Sequence, residues 1–239
     1  MIDQGRVDAK GTATYLARPE GPPKGAVVLC FEIFGLNRHM EDLCRRFAKN
    51  GYVAAAPDFY HRYEGARVLP YSNRDSALEV ADTITDSSVM SDIDSVFEYL
   101  KSQPEIDDAG LGIVGYCMGG RVAFLAACRT PELKACVSFY GGGIATRSRF
   151  QGLTAIPLDE AESIQAPMFL AYGGQDQSIP AEHIQATEDR LAKLGKSAEI
   201  QIYPNAGHGF MCEERASYNA EAAQDGWERT IAFLNEHMV

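Results

Sequence analysis

Residues 110–127 read GLGIVGYCMGGRVAFLAA: an apolar, strand-like run enters Gly115, Tyr116, Cys117, Met118, Gly119 and Gly120 and leaves as an apolar run of helical character. Gly-x-Cys-x-Gly between a strand and a helix has a physical reason. A sharp reversal there holds the central residue in a strained backbone conformation, and a side chain two positions to either side would strike the crossing strand and helix, so both flanks should be glycine. Gly115 and Gly119 satisfy that. Cys117 would then stand at a helix N-terminus, whose unpaired N–H groups favour a thiolate and can also hold an oxyanion. The competing readings are a buried structural cysteine or a nucleotide-binding loop. The turn GYCMGG itself contains neither G-x-G-x-x-G nor G-x-x-x-x-G-K-[ST], which leaves phosphate cradling little support.

Outward from this turn, runs rich in Val, Ile, Phe and Ala at 26–31, 52–56, 111–116, 135–140, 167–172 and 199–203 alternate with stretches of helical spacing. Met40, Leu43, Cys44 and Phe47 define one such face; Val89, Ile93, Val96, Phe97 and Leu100 a second; Trp227, Ile231, Leu234 and Met238 a third. VVLCF, GIVGY and MFLAY show no alternation, as expected of strands covered on both sides. The order predicts an α/β protein with a mostly parallel central sheet and helices on both faces. Segment 141–166 is less periodic and reads as a long connection over the sheet edge. No repeat, low-complexity tract or linker divides the chain, so residues 1–239 are expected to form a single domain.

Composition narrows the partners. The chain has 239 residues, 46% of them hydrophobic, enough for a sizeable core without disulfides or structural metals. Its 33 acidic against 22 basic side chains give a formal charge of −11, which repels nucleic-acid backbones and anionic lipid. No apolar run approaches a bilayer span, and the amino end shows no export signal. The six cysteines (30, 44, 117, 128, 136 and 212) form no C-x-x-C pair. A reduced, cytoplasmic location is the expectation, with no cofactor. Oligomeric state has no signature in the sequence.

A thiol is only partly ionised at neutral pH and is helped by an adjacent imidazole. Of five histidines, His39 and His61 lie in polar, loop-like stretches, His183 in a helical stretch after Pro180, and His237 near the end of the sequence. His208 differs: it follows the strand EIQIYP in the turn NAGHGF, ahead of a helix expected from Ser217 to Met238. The imidazole needs a carboxylate to fix its tautomer. Asp176, after the strand PMFLAYGG, is favoured over Asp58, which ends YVAAAPD ahead of the nucleophile. The order Cys, Asp, His is that of a nucleophile-elbow hydrolase.

Glu32 sits in FEIFG (31–35) among apolar neighbours, where an acid must be paired or protonated, or else bears a large desolvation penalty. An arginine such as Arg38 is one candidate partner. The loop after this strand usually gives the second oxyanion donor, so the N–H groups of Ile33 and Met118 are the expected pair.

FEIFGLN, GYVAAAPDFY, GYCMGG, YGGQDQSIP and NAGHGF together resemble the dienelactone hydrolase (carboxymethylenebutenolidase) family of α/β hydrolases, along almost the whole chain. The resemblance implies an α/β-hydrolase fold without a large cap, Cys117 as nucleophile, Asp176 and His208 completing the triad, and Glu32 as an extra acid that holds the resting thiol. It implies a small ester or lactone substrate, cleaved through a thioester. The chain also departs from the family. The arginine expected four residues beyond the histidine is Cys212 here, and the serine expected next to the histidine is Gly209. Arg215 and Arg74 are then the candidates to grip a substrate carboxylate, and Tyr140 a candidate pocket wall. The alternatives are a broad carboxylesterase of the same family, or a non-catalytic thiol sensor marked by a Cys117–Cys212 disulfide. A metal site from Cys117, His208 and Cys212 lacks the usual paired ligand spacing.

Overall fold

The apolar runs assemble into one sheet. A computed structural model describes residues 3–106 and 110–238. Strands β1 (Asp3–Ala9), β2 (Thr12–Arg18), β3 (Gly25–Cys30), β4 (Tyr52–Pro57), β5 (Gly110–Tyr116), β6 (Ala135–Phe139), β7 (Met168–Gly173) and β8 (Ala198–Tyr203) lie in the order β1-β2-β4-β3-β5-β6-β7-β8. From β4 to β8 all pairings are parallel; β1 and β2 form an antiparallel hairpin at one edge. The mostly parallel sheet is the one expected from the strand–helix rhythm, and the fold is the α/β-hydrolase fold that the family resemblance implied. The GLGIVG stretch at 110–115 matches a dinucleotide-loop spacing by letters alone, because all of it lies within β5.

The hairpin is absent from the sequence reading. Its turn, Lys10-Gly11, has both residues at positive φ (53° and 94°), the geometry that matches strand twist. β1 exposes most of its residues, so it lacks the apolar run that reveals a buried strand.

Helices α1 (Arg38–Lys49), α2 (Arg74–Ala81), α3 (Asp86–Lys101), α4 (Met118–Arg129), α5 (Ala181–Lys193) and α6 (Ala220–Met238) connect and follow the strands. The apolar faces counted in the sequence are those of α1, α3 and α6. Phe47 of α1 meets Trp227 of α6 with ring centroids 4.8 Å apart, so these two helices share one face. The crossover from β3 to β4 runs toward the hairpin and that from β4 to β5 runs back, so right-handed connections put α1 and α3 on opposite faces. That reversal creates a switch point beside the carboxyl ends of β3 and β5, where ligand sites of open α/β sheets form. FEIFG follows β3 there, and Cys117 follows β5. Segment 141–166 joins neighbouring strands β6 and β7, and residues 142, 143 and 146–150 of it contribute to the cavity at the switch point. Among the described residues no helix is long and apolar enough to cross a membrane.

Candidate active site

Cys117 has φ 56° and ψ −118° at the N-cap of α4. A Cβ on Gly115 would stand 1.9 Å from the Gly119 oxygen, and one on Gly119 would stand 2.2 Å from the Cys30 oxygen. Both contacts are with backbone, which cannot rotate away, so the flanking glycines are required by the approach of α4 to the ends of β3 and β5. The Cys117 N–H donates to the Phe139 oxygen (3.0 Å) and the Gly119 N–H to the Phe31 oxygen (3.1 Å), fastening the turn to both neighbouring strands.

The loops after β7 and β8 bring the other two groups to this turn. His208 Nε2 lies 3.0 Å from Cys117 Sγ, and His208 Nδ1 lies 2.7 Å from Asp176 Oδ2. The other Asp176 oxygen accepts the Ser178 N–H at 2.7 Å, which fixes the carboxylate. Burial opposes a charge on the imidazole. The neighbouring Cys117 and the Asp176 carboxylate outweigh it and hold the His208 pKa up to about 10. Sulfur, imidazole and carboxylate therefore stand in one line.

Cys117 and His208 open on a cavity of about 230 Å³, which Ile33 and Met118 also line. Among the described residues neither the Ile33 nor the Met118 N–H has a backbone acceptor. The Tyr60 hydroxyl donates to the Ile33 carbonyl at 3.0 Å, fixing the loop that presents the first of these donors. Two free N–H groups beside a nucleophile can hold an oxyanion.

Glu32 is buried, and its partner is Arg215 rather than Arg38. Arg215 Nη1 donates to Glu32 Oε1 at 2.9 Å, whereas Arg38 is exposed and faces Asp42. The second Glu32 oxygen is buried without a hydrogen-bond partner. Arg215 reaches Glu32 by crossing over Gly209, where an added Cβ would stand 2.0 Å from Nη1 and φ is +80°. The two departures from the family pattern are therefore linked: glycine at 209 clears the path of the arginine at 215. The resemblance implied a resting thiol held by Glu32. Here the thiol faces His208 and the glutamate is held by Arg215.

The remaining sequence candidates separate. Arg74, the first residue of α2, lines the cavity. Tyr140 does not: it is fully buried, with its ring edge-on to His208 at 5.1 Å, so it backs the imidazole. Arg215 also lies off the cavity lining. Asp58 is buried near Arg67 (3.3 Å), away from His208. His39 sits in the first turn of α1 rather than in a loop, and His61 pairs with Asp92 at 3.1 Å. All six cysteines are free, and Cys212 is fully buried beside Tyr71. His183, set aside as a base in the sequence, lines the cavity, as do Arg147 and Arg149, which went unread there. Two come from the irregular 140–156 stretch, which has no periodicity to mark which side chains turn inward.

Comparison with known proteins follows the same lines. The chain matches the sequence model of the dienelactone hydrolase family over residues 12–238. It is 40% identical over 228 residues to a Yersinia pestis protein named "Putative carboxymethylenebutenolidase", covering 94% of this chain and 84% of that one. A Methylorubrum extorquens protein of the same name is 39% identical over 226 residues, with 94% and 77% covered. The crystal structure of a "Putative Dienelactone Hydrolase" from Klebsiella pneumoniae superposes with a TM-score of 0.88 at 34% identity, covering 98% of both chains.

Proposed function

The chain belongs to the dienelactone hydrolase family, and from that premise we propose that it is a carboxylic ester hydrolase that opens small lactones or esters through a thioester on Cys117. The observation that carries the proposal is the unbroken line Asp176–His208–Cys117, at 2.7 and 3.0 Å, ending on a cavity with two unengaged N–H groups.

In the proposed reaction the carbonyl oxygen accepts the Ile33 and Met118 N–H groups while the Cys117 sulfur attacks. His208, already protonated, donates to the departing alkoxide or enolate. Water then attacks the thioester with His208 as base, and Asp176 stabilises the imidazolium that reforms. Glu32 is the additional acid of the site: Arg215 holds one of its oxygens, and the other is buried without a hydrogen-bond partner. A thiolate leaves more readily than an alkoxide, which favours esters with stabilised leaving groups, such as enol lactones and aryl esters, over amides.

The test is a rapid-mixing experiment with an aryl ester. A stoichiometric burst of phenol should accompany an acyl mass increment on the peptide carrying Cys117, and Cys117→Ala should lack both. Acyl label on any other residue, or a burst that survives in Cys117→Ala, would overturn the nucleophile assignment.

A further inference from the structure

The cavity at the nucleophile is cationic in a protein whose formal charge is −11. Arg74, Arg147 and Arg149 line it, with His183 at the start of α5, and no aspartate or glutamate does so among the described residues. None of the three arginines has a carboxylate partner among the described ion pairs; Arg149 only lies over the neighbouring Phe150 ring at 5.9 Å. Three guanidinium groups without counter-charges on one small cavity repel one another, and an anionic ligand relieves that repulsion.

The loop that carries two of them is held in place. Arg121, in the first turn of α4, is 1% exposed and donates to Asp86 Oδ1 (2.7 Å) and to the Ala155 carbonyl (2.7 Å). Asp86 Oδ2 accepts the Ala155 N–H at 2.8 Å, and the Asp86 N–H donates to the Gly152 carbonyl at 3.1 Å. At the other end the Leu158 N–H reaches back to the Ile144 carbonyl at 3.0 Å. Residues 144–155 thus form a closed loop anchored on a buried ion pair, with Arg147 and Arg149 near its middle. A volume of about 230 Å³, roughly the share of eight liquid waters, suits a compact metabolite.

Resting on the hydrolase reading above, we propose that Arg147 and Arg149, with Arg74, form an anion-recognition wall that selects substrates bearing two negative charges beyond the scissile bond, as two carboxylates or one phosphate monoester. Both side chains are exposed at the cavity rim on an anchored backbone, and a pair of guanidinium groups discriminates against analogues that lack the charge, because the analogue leaves those donors unpaired.

The experiment compares kcat/KM for 4-nitrophenyl esters of hexanoate, adipate, butane-1,2,4-tricarboxylate and 6-phosphooxyhexanoate, for wild type and for the Arg147→Ala/Arg149→Ala double variant. In wild type one of the two dianionic esters should exceed the neutral one at least about 30-fold, with a steep decline as salt is added, and which of them leads identifies the anion. In the double variant that ratio should collapse at least about 10-fold. A ratio within threefold of wild type, or equal losses on neutral and dianionic esters, overturns the proposal. Calorimetry of tricarballylate and inorganic phosphate on Cys117→Ala separates the two readings. Anion binding that depends on Arg147 and Arg149 without any ester turnover sinks the hydrolase reading and keeps the anion wall. Ester turnover without charge preference does the reverse.

Discussion

The nucleophile turn at residues 115–120 and the connection at 140–156 face the same cavity and are held by opposite means. The turn is fixed by contacts that its own letters announce: two glycines where any Cβ would enter backbone, and a cysteine left at positive φ between them. The connection is fixed by Asp86 and Arg121, neither of which belongs to it, through both backbone groups of Ala155. The geometry of the nucleophile is thereby encoded within six consecutive residues, whereas the selectivity we propose is encoded across about seventy, from Asp86 to Ala155. A short motif can be shared across a family while a distant clamp carries its own arginines to the cavity.

The largest effect expected from breaking the first region is on rate. Cys117→Ala removes the nucleophile while leaving the turn geometry, so kcat/KM on an aryl ester should fall about 10⁴-fold or more, with Tm within about 4 °C of wild type. Breaking the second region acts on stability instead. Arg121→Met leaves Asp86 buried without its cation, which should cost about 3–5 kcal/mol in urea unfolding. The paired change Asp86→Leu/Arg121→Met should recover most of that loss, since two apolar groups replace two charges, yet it should not restore the preference for anionic esters. Recovery of both properties together would show that the clamp does not position the arginines.

Gly119→Ala tests whether the turn is as tight as its geometry. The added methyl meets the Cys30 carbonyl, which belongs to a central strand, and relief requires a backbone shift costing about 3 kcal/mol. The same shift moves the Met118 N–H, so kcat should fall with stability. A variant as stable and active as wild type would mean that the turn has slack.

These two regions also show why the sequence was readable in one place and silent in another. β3 to β7 are apolar runs because both faces of the sheet are covered, and the helix faces of α1, α3 and α6 repeat at their own period, so the architecture could be counted. The β1–β2 hairpin could not, because an exposed edge strand needs no apolar run. At the site, the cysteine and histidine were legible from the glycine spacing and the strand–loop order, and the aspartate from chain order. The partner of Glu32 was not: Arg215 and Glu32 are far apart in sequence, and what joins them is a vacancy at Gly209, visible only as the absence of a side chain. Arg147 and Arg149 look like ordinary surface charges until the clamp that turns their loop toward the cavity is seen.

The smallest expected effect is the sharpest probe of the turn's electrostatics. Cys117 is the leading influence raising the His208 pKa against its burial, with Asp176 behind it. Cys117→Ala leaves Asp176 and removes the sulfur, so the His208 pKa should fall from about 10 by at least one unit, a differential of about 1.4 kcal/mol. Imidazole resonances followed by NMR would read this directly: in wild type His208 stays protonated through pH 8, and in the variant it titrates earlier. Stability has the matching sign. The native chain binds this proton more tightly than the unfolded chain, whose imidazole titrates near 6.5, so its contribution is complete below about pH 6.5 and is lost as pH rises through about 10. If the His208 pKa is the same in Cys117→Ala as in wild type, the charge on His208 owes nothing to the sulfur beside it, and burial is offset by Asp176 alone.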